Sequence, residues 1–233
     1  MEVSLLKKLF TAPMSKSAVP LSLILLLAGF LALSFGLPVI APFSLAIAGF
    51  ISLYILFGKK GISYTFSKPQ KIVSTYFAGL IGAYIFAGVG ILITKILLGS
   101  SPNSNPVADG MTIFGLLKTI PMLLGEELIT IILLIIIANL LGGTRKALIV
   151  AVIISTLIFG FLHLPTYDWN FAQVIFIIAA ARIPFTLASL RSDSLYTGLL
   201  IHITYDWIIF ILVILSITNS FCDCPSNCKY FIK

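Results

Sequence analysis

The sequence predicts an all-α membrane protein: a polytopic helical bundle of about seven transmembrane helices, or eight if one run is divided differently, around a polar intramembrane cavity. Composition is the first observation behind this fold class, since the 233 residues are 59% hydrophobic and 10% charged, with a mean hydropathy of +1.13. A soluble domain of that composition would expose far too much apolar surface. Several apolar runs also exceed the roughly 20 residues that cross the hydrocarbon. Finally, ionisable side chains occur inside these runs, where they must face protein or water.

The predicted spans follow one another through the chain, and no linker separates a second domain. They cover residues 18–39, 41–57, 72–98, 111–141, 147–162, 171–190 and 194–218. The first run lacks a small-residue cleavage site, so we expect an uncleaved span rather than a signal peptide. The chain is therefore predicted to be one transmembrane domain, 1–233, with a motif-bearing core at 112–218 and a tail at 219–233.

The tail contains all the cysteines, Cys222, Cys224 and Cys228. Their spacing is a weak indication of a metal site, because no histidine lies nearby. A disulfide with one thiol left over, or a lipidated tail, explains the spacing equally well. We assign the tail no function.

Basic residues cluster in the short connections between the apolar runs, and this bias predicts the topology. Cytoplasmic loops carry an excess of Lys and Arg. The N-terminus and the loops around Lys59, Arg145 and Arg191 are therefore predicted to be cytoplasmic, and the tail to lie outside, in a multi-pass protein of the cell membrane. The pI of about 9.4 does not indicate a nucleic-acid partner, because no basic stripe is interleaved with aromatic residues. Membrane lipids are the partners that composition implies.

Two adjacent carboxylates, Glu126 and Glu127, lie in the middle of the fourth span, directly after Gly125. A carboxylate at bilayer depth costs at least about 2.5 kcal/mol on insertion scales, so an intramembrane pair indicates a functional site. The alternative is a pair of protonated, hydrogen-bonded carboxyls that ties this helix to its neighbours. A structural tie needs only one acid, so we favour the functional interpretation.

Both histidines of the chain also lie in apolar helices. His163 closes the fifth span, and His202 precedes Asp206 by four residues in the seventh, which places those two on one helix face. Counted from the inner membrane face, His163 is about 25 Å up. Helix tilt, or a loop at 165–170 that dips into the protein, must bring it to the depth of Glu126.

Two carboxylates and two imidazoles are suited to the activation of water. A glutamate in a low-dielectric site is a competent general base, and a histidine shares the water proton or polarises the carbonyl under attack. The alternative is a zinc site with Glu126, His163 and His202 as ligands and water in the fourth place. The helical zinc motif H-E-x-x-H is absent, and no serine or cysteine beside a histidine indicates a covalent nucleophile.

Arg182 is a further charge inside a span, two residues before Pro184. An arginine at that depth needs a counter-ion unless it reaches the interface along a tilted helix. We predict that Arg182 pairs with Glu127 or Asp206.

These residues resemble the motifs of the CAAX-processing and bacteriocin-processing membrane proteases, the CPBP family. The family's pattern is E-E in one helix, F-x-x-x-H in a later one and H-x-x-x-[ND] in a still later one. Glu126 and Glu127, Phe159 to His163, and His202 to Asp206 occur in that order. The resemblance covers about 112–206, and the first three spans match nothing in the family's pattern.

The resemblance implies a role for each matching residue. Glu126 is expected to be the general base, helped by His163, while His202 and Asp206 stabilise the oxyanion and Glu127 is a supporting acid. No cofactor is implied, and zinc is kept only as the alternative. The implied function is an intramembrane endopeptidase acting on a prenylated CAAX-like peptide or a leader peptide.

The sequence departs from the family's pattern at two positions. The first motif continues as E-E-x-x-x-R, but Ile131 occupies the place of the arginine. Asp206 occurs where many members have asparagine, and an aspartate donates a hydrogen bond only when it is protonated. A non-catalytic relative, such as a scaffold or an immunity-type protein, is therefore the alternative function. A proton-coupled transporter is a third, although no repeated halves are present.

Overall fold

The computed structural model describes residues 5–36, 40–108 and 111–222, with side chains up to residue 215. All regular secondary structure within these ranges is helical, which confirms the all-α prediction. The helices are α1 (Leu5–Lys8), α2 (Val19–Ser34), α3 (Ala41–Phe57), α4 (Lys59–Thr65), α5 (Ile72–Leu92), α6 (Ile113–Leu140), α7 (Arg145–Leu162), α8 (Phe171–Gln173), α9 (Ala180–Ser192) and α10 (Leu195–Cys222). A π-helical turn, Ile93–Leu97, extends α5, and a second one, Val174–Ala179, joins α8 to α9. The side chains of the cysteine tail lie outside the described residues.

Six of the helical segments are long and apolar enough to cross a membrane, as predicted from the runs of hydrophobic residues. They begin at residues 16, 72, 113, 145, 171 and 195. The predicted second span, α3, has 17 residues and meets the same test only together with α4, from which it is bent by 120°. The bend occurs at Gly58, whose φ of +62° is readily adopted only by glycine. The prediction that the connection between the second and third spans, 58–71, is a loop was wrong in part, because its first half forms α4.

The central helix of the bundle is α6, which packs against α3, α7 and α10. The rotation of α6 about its own axis is fixed at Gly125, where the helix approaches α3 closely. A Cβ on Gly125 would lie 2.8 Å from the Ala46 nitrogen and from the Leu45 Cβ. Successive helical residues are separated by about 100°. With Gly125 against α3, the two glutamates that follow point away from α3, toward α7, α9 and α10.

The remaining helices enclose or flank this centre. Helices α7, α9 and α10 lie around the side of α6 that carries the glutamates, α5 packs outside α9 and α10, and α2 packs outside α3. The outward faces of α2 and α5 expose large apolar side chains, including Ile24, Leu27, Phe77 and Ile85. Apolar exposure of this kind fits contact with lipid.

The cytoplasmic end predicted from the charges is held together by polar contacts between segments distant in sequence. The Ser15 nitrogen donates to the Leu56 carbonyl at 3.0 Å, and the Gln70 nitrogen donates to the Ser192 carbonyl at 2.7 Å. The Asn139 amide donates to the Leu9 carbonyl at 2.9 Å. We call this end of the bundle the basic end, because most lysines and arginines of the chain lie in these connections.

Candidate active site

The two adjacent glutamates of α6 have different surroundings. The side chain of Glu126 is 13% exposed and lines a cavity, whereas that of Glu127 is 1% exposed. Glu126 can therefore meet water or substrate, and Glu127 can meet only protein. This difference matches the roles that the family resemblance implies.

Glu127 forms a buried ion pair with Arg182 of α9. The prediction that Arg182 finds a counter-ion inside the bundle is confirmed, and the partner is Glu127. Arg182 is itself 2% exposed. Removal of both charges from water is tolerated because each neutralises the other and accepts or donates a hydrogen bond. The pair joins two helices, whereas the arginine of the family's first motif, replaced here by Ile131, would lie on α6 itself.

Two aromatic rings flank the Arg182 guanidinium. Its Cζ lies 4.7 Å from the ring centroid of Phe159 and 5.6 Å from that of Phe185. Both distances are within the range of a cation–π interaction. The Phe159 ring also contacts the His163 imidazole, with centroids 4.5 Å apart. The phenylalanine of the F-x-x-x-H motif thus supports both the cation and the histidine.

His163 caps the carboxyl end of α7 and faces Glu126. Its Nδ1 lies 2.8 Å from the Phe159 carbonyl oxygen. A carbonyl only accepts, so this contact assigns the proton to Nδ1 and leaves a lone pair on Nε2 in the neutral ring. That Nε2 lies 3.9 Å from the Glu126 Oε2, a separation suited to contact through one water rather than a direct hydrogen bond.

His202 connects the two glutamates from α10. Its Nδ1 lies 2.9 Å from the Glu127 Oε1, which assigns the Nδ1 proton to that contact. Its Nε2 faces the cavity, 3.8 Å from the Glu126 Oε2 and 3.6 Å from the Asp206 Oδ2. Both imidazoles therefore turn Nε2 toward the same small volume, where the Glu126 carboxylate also points.

The cavity that these groups share has a volume of about 440 Å³. Its apolar wall is formed by Phe30, Leu33, Met122, Leu162 and Phe210, and its polar wall by Glu126, His163, Arg182, His202 and Asp206. The prediction that residues from three helices converge in one cavity is confirmed as geometry. Their catalytic roles stay predictions.

The segment that follows His163 packs against the protein. Leu164 and Tyr167 are buried, so the segment after α7 folds into the protein, as one of the two predicted arrangements requires. Its polar groups are paired: the Tyr167 carbonyl accepts from the Asn103 amide at 3.1 Å, and the buried Gln173 bonds both the nitrogen and the carbonyl of Asn103. Irregular backbone at membrane depth is tolerated when it is satisfied within the protein in this way.

Two residues of the site were not predicted from the sequence, Phe185 and Gly198. The position of Phe185 three residues after Arg182, on the same helix face, is the sequence feature that could have indicated it. Gly198 lies four residues before His202, and a Cβ there would be 3.0 Å from the Glu127 Oε2 and from the Phe185 carbonyl oxygen. A glycine at this position leaves the space that the Glu127 carboxylate occupies.

Among the described residues, no three His, Cys, Asp or Glu side chains form a group that could hold a metal ion. Glu126, His163 and His202, the ligands of the zinc alternative, therefore do not form such a group within the described residues.

Residues 108–208 match a family model described as type II CAAX prenyl endopeptidase Rce1-like. The match confirms the family resemblance. It begins before Glu126 and ends beyond Asp206, so that it spans every motif and leaves α2, α3 and α5 uncovered. No curated protein and no solved structure gives a significant match. The motif-bearing segment is thus similar to the type II CAAX prenyl endopeptidases, a class of membrane protease.

Proposed function

We propose that the protein is an intramembrane endopeptidase that hydrolyses a peptide bond with a water activated by Glu126 and His163. The observation that carries the proposal is the convergence of Glu126, His163, His202 and Asp206 on one side of a cavity inside an apolar bundle. Structural ties between helices would not require the nitrogens and oxygens of all four to face a shared open space.

The first step uses two hydrogen-bond acceptors that point at the same place. A water between the Glu126 Oε2 and the His163 Nε2 donates one proton to each, and its lone pairs face the cavity. Glu126 removes the proton as the water oxygen attacks the carbonyl carbon of the peptide bond, and a tetrahedral intermediate forms. The Glu126 carboxylate suits this role because it faces the cavity and lies within reach of a water held by His163.

The second requirement is a hydrogen-bond donor for the developing oxyanion. The His202–Asp206 pair supplies it when the two side chains hold one proton between the His202 Nε2 and the Asp206 Oδ2, which are 3.6 Å apart. A carboxylic acid in an apolar site keeps such a proton. The intermediate then collapses, the C–N bond breaks, and the leaving nitrogen takes the proton that Glu126 holds. The products are a carboxylic acid, which keeps the second proton of the water until it ionises, and an amine.

The substitution of the motif arginine by Ile131 does not argue against catalysis. Arg182 reaches Glu127 from α9 and gives the second glutamate the cationic partner that the motif arginine would have given. The charge balance of the site is thereby kept. The non-catalytic alternative loses the sequence feature on which it depended.

Purified protein in liposomes tests the proposal, with prenylated CAAX-like peptides and leader peptides as substrates and mass spectrometry to locate the cut. We expect one class to be cleaved by the native protein and neither by Glu126→Gln. Gly88→Ala is the matched control, because a methyl group there has no neighbour within 4 Å. Binding without cleavage of either class by well-folded native protein would favour the non-catalytic relative, and proton flux without cleavage would favour the transporter.

A further inference from the structure

Within the described residues, the lining of the cavity reaches the end of the bundle that lies opposite the basic end. The residues at its rim are Ser34 at the end of α2, Asn105 to Val107 before α6, and Pro165 and Thr166 after α7. We call this the mouth end. Hydrogen bonds tie its loops together as well, since the Asn170 amide donates to the Ser101 carbonyl at 3.1 Å.

The cations of the chain are distributed very unequally between the two ends. Of the 15 lysines and arginines, most lie in the segments of the basic end: Lys7, Lys8, Lys16, Lys59, Lys60, Lys68, Lys71, Arg145, Lys146 and Arg191. In the described residues of the mouth end, the cations are Lys95 and Lys118. Such a bias in short loops sets the orientation of a membrane protein, with the basic end in the cytoplasm.

We propose that the active-site cavity faces away from the cytoplasm, and that the substrate is an apolar peptide segment presented from that side, such as an exported or membrane-anchored chain. The part of the proposal that concerns cleavage rests on the proposed function. A prenylated chain terminus that remains in the cytoplasm would meet the basic end, whose described residues do not line the cavity. Of the two substrate classes, the geometry therefore favours the leader-type peptide.

The walls of the cavity specify the kind of segment further. The rim carries uncharged polar groups, from Ser34, Asn105 and Thr166, and the apolar wall below it includes Phe30 and Phe210. A segment with apolar side chains next to the scissile bond fits these walls. Glu126 lies about 20 Å below the start of α6, at about 1.5 Å per residue. A substrate therefore needs at least about six residues, even when fully extended, to cover that distance.

The orientation is tested by labelling of single cysteines in a chain whose native cysteines are replaced by serine. Ser34→Cys and Ser63→Cys form a matched pair. Both serines are exposed, and each donates to a carbonyl of its own helix, Ser34 to Phe30 at 2.9 Å and Ser63 to Lys60 at 3.4 Å. Ser104→Cys is a second probe of the mouth end. A membrane-impermeant maleimide added to spheroplasts should label the cysteines at 34 and 104, and label the one at 63 only after permeabilisation. The reverse pattern overturns the proposal.

The side of cleavage is tested separately, with a water-soluble apolar peptide added to sealed membrane vesicles. We expect cleavage in right-side-out vesicles, whose outer surface is the non-cytoplasmic one, and not in inside-out vesicles. Cleavage confined to inside-out vesicles overturns the proposal. Absence of cleavage in both and in detergent counts against the proposed function, while the labelling result, which needs no activity, still decides which way the cavity faces.

Discussion

The Nδ1 atom of His202 lies 2.9 Å from Oε1 of Glu127, the same oxygen that accepts a hydrogen bond from the Arg182 guanidinium. The second glutamate thus positions the imidazole, while the first faces the cavity. Because Glu127 accepts a hydrogen bond from the Nδ1–H of His202, the Nε2 of that ring is turned toward Glu126 and Asp206. Two neighbours in sequence therefore differ in their surroundings, because the turn of α6 between them directs each to different partners.

Substitution of Glu126 by glutamine should abolish most of the activity without loss of stability. The amide keeps the size and most hydrogen bonds of the side chain but lacks its basicity, and loss of a positioned base costs about 10²- to 10⁴-fold in rate. Turnover and melting temperature of Glu126→Gln, measured beside native protein, check this. The melting temperature should hold or rise, since a charge leaves a low-dielectric site. Unchanged turnover would show that Glu126 is not the base.

Substitution of Glu127 by glutamine should act on folding first. It leaves the buried Arg182 cation without its counter-ion, and breakage of one side of a buried pair costs about 3–5 kcal/mol. Arg182→Met should be similarly destabilising, because it strands Glu127. The double variant Glu127→Gln/Arg182→Met buries no charge at this position, so it should be more stable than the sum of the single losses predicts. Strictly additive losses in denaturant unfolding would contradict the coupling.

Substitution of Asp206 by asparagine should change the pH dependence of turnover in one direction. The oxyanion donor of the native pair is a proton, which is lost as the pH rises, so native kcat/KM should fall at the alkaline end. An asparagine amide donates its N–H at any pH, so Asp206→Asn should keep activity to higher pH. Superimposable profiles would place the oxyanion donor elsewhere.

A methyl group at position 198 should disturb the buried residues that hold His202 in place. It would clash with the Ser189 Oγ and lie 3.0 Å from the Glu127 Oε2 and from the Phe185 carbonyl oxygen, so Ser189 must move and Glu127 is crowded, together with the His202 that it holds. We expect Gly198→Ala to lower both turnover and melting temperature. Gly88→Ala, the same substitution in a transmembrane helix with open space around it, should be neutral or stabilising by up to about 1 kcal/mol. Equal behaviour of the two variants would refute the packing argument.

Removal of divalent metal should leave turnover unchanged if Glu126 is a base. Prolonged dialysis against a chelator, with metal content measured before and after, checks this together with the assay of the native protein. Chelator-sensitive turnover that zinc restores would instead make Glu126 a ligand, with His163 and His202 beside it.

Most of the fold could be predicted from the sequence because a membrane restricts the possibilities. Apolar runs of sufficient length form helices there, and every charge inside them needs a partner, which already grouped Glu126, His163, His202 and Asp206. The helix α4 was missed because its seven residues, with two lysines and a glycine, carry no membrane-length pattern. The π-helical turn at Val174–Ala179 shares its composition with an α-helix, so only tertiary packing distinguishes the two.

The choice between Glu127 and Asp206 as the partner of Arg182 could not be made from spacing. It depends on the rotation of α6, which is fixed by the contact between Gly125 and α3. That contact joins segments about 80 residues apart, and nothing in either segment alone specifies it. The placement of Phe185 and Gly198 around the pair follows from the same rotation.

The Arg182–Glu127 pair has a consequence for biogenesis. Its members lie on helices that are synthesised 55 residues apart, so α6 leaves the ribosome with an intramembrane carboxylate long before its cation exists. The chain must either hold Glu127 protonated or delay the release of α6 into lipid until α9 arrives. We expect nascent chains truncated before α9 to stay cross-linkable to the insertion machinery, and chains that extend past Ser192 to be released. With Glu127→Gln, the truncated chain should be released without α9. An unchanged delay of release in this variant would rule out the carboxylate as its cause.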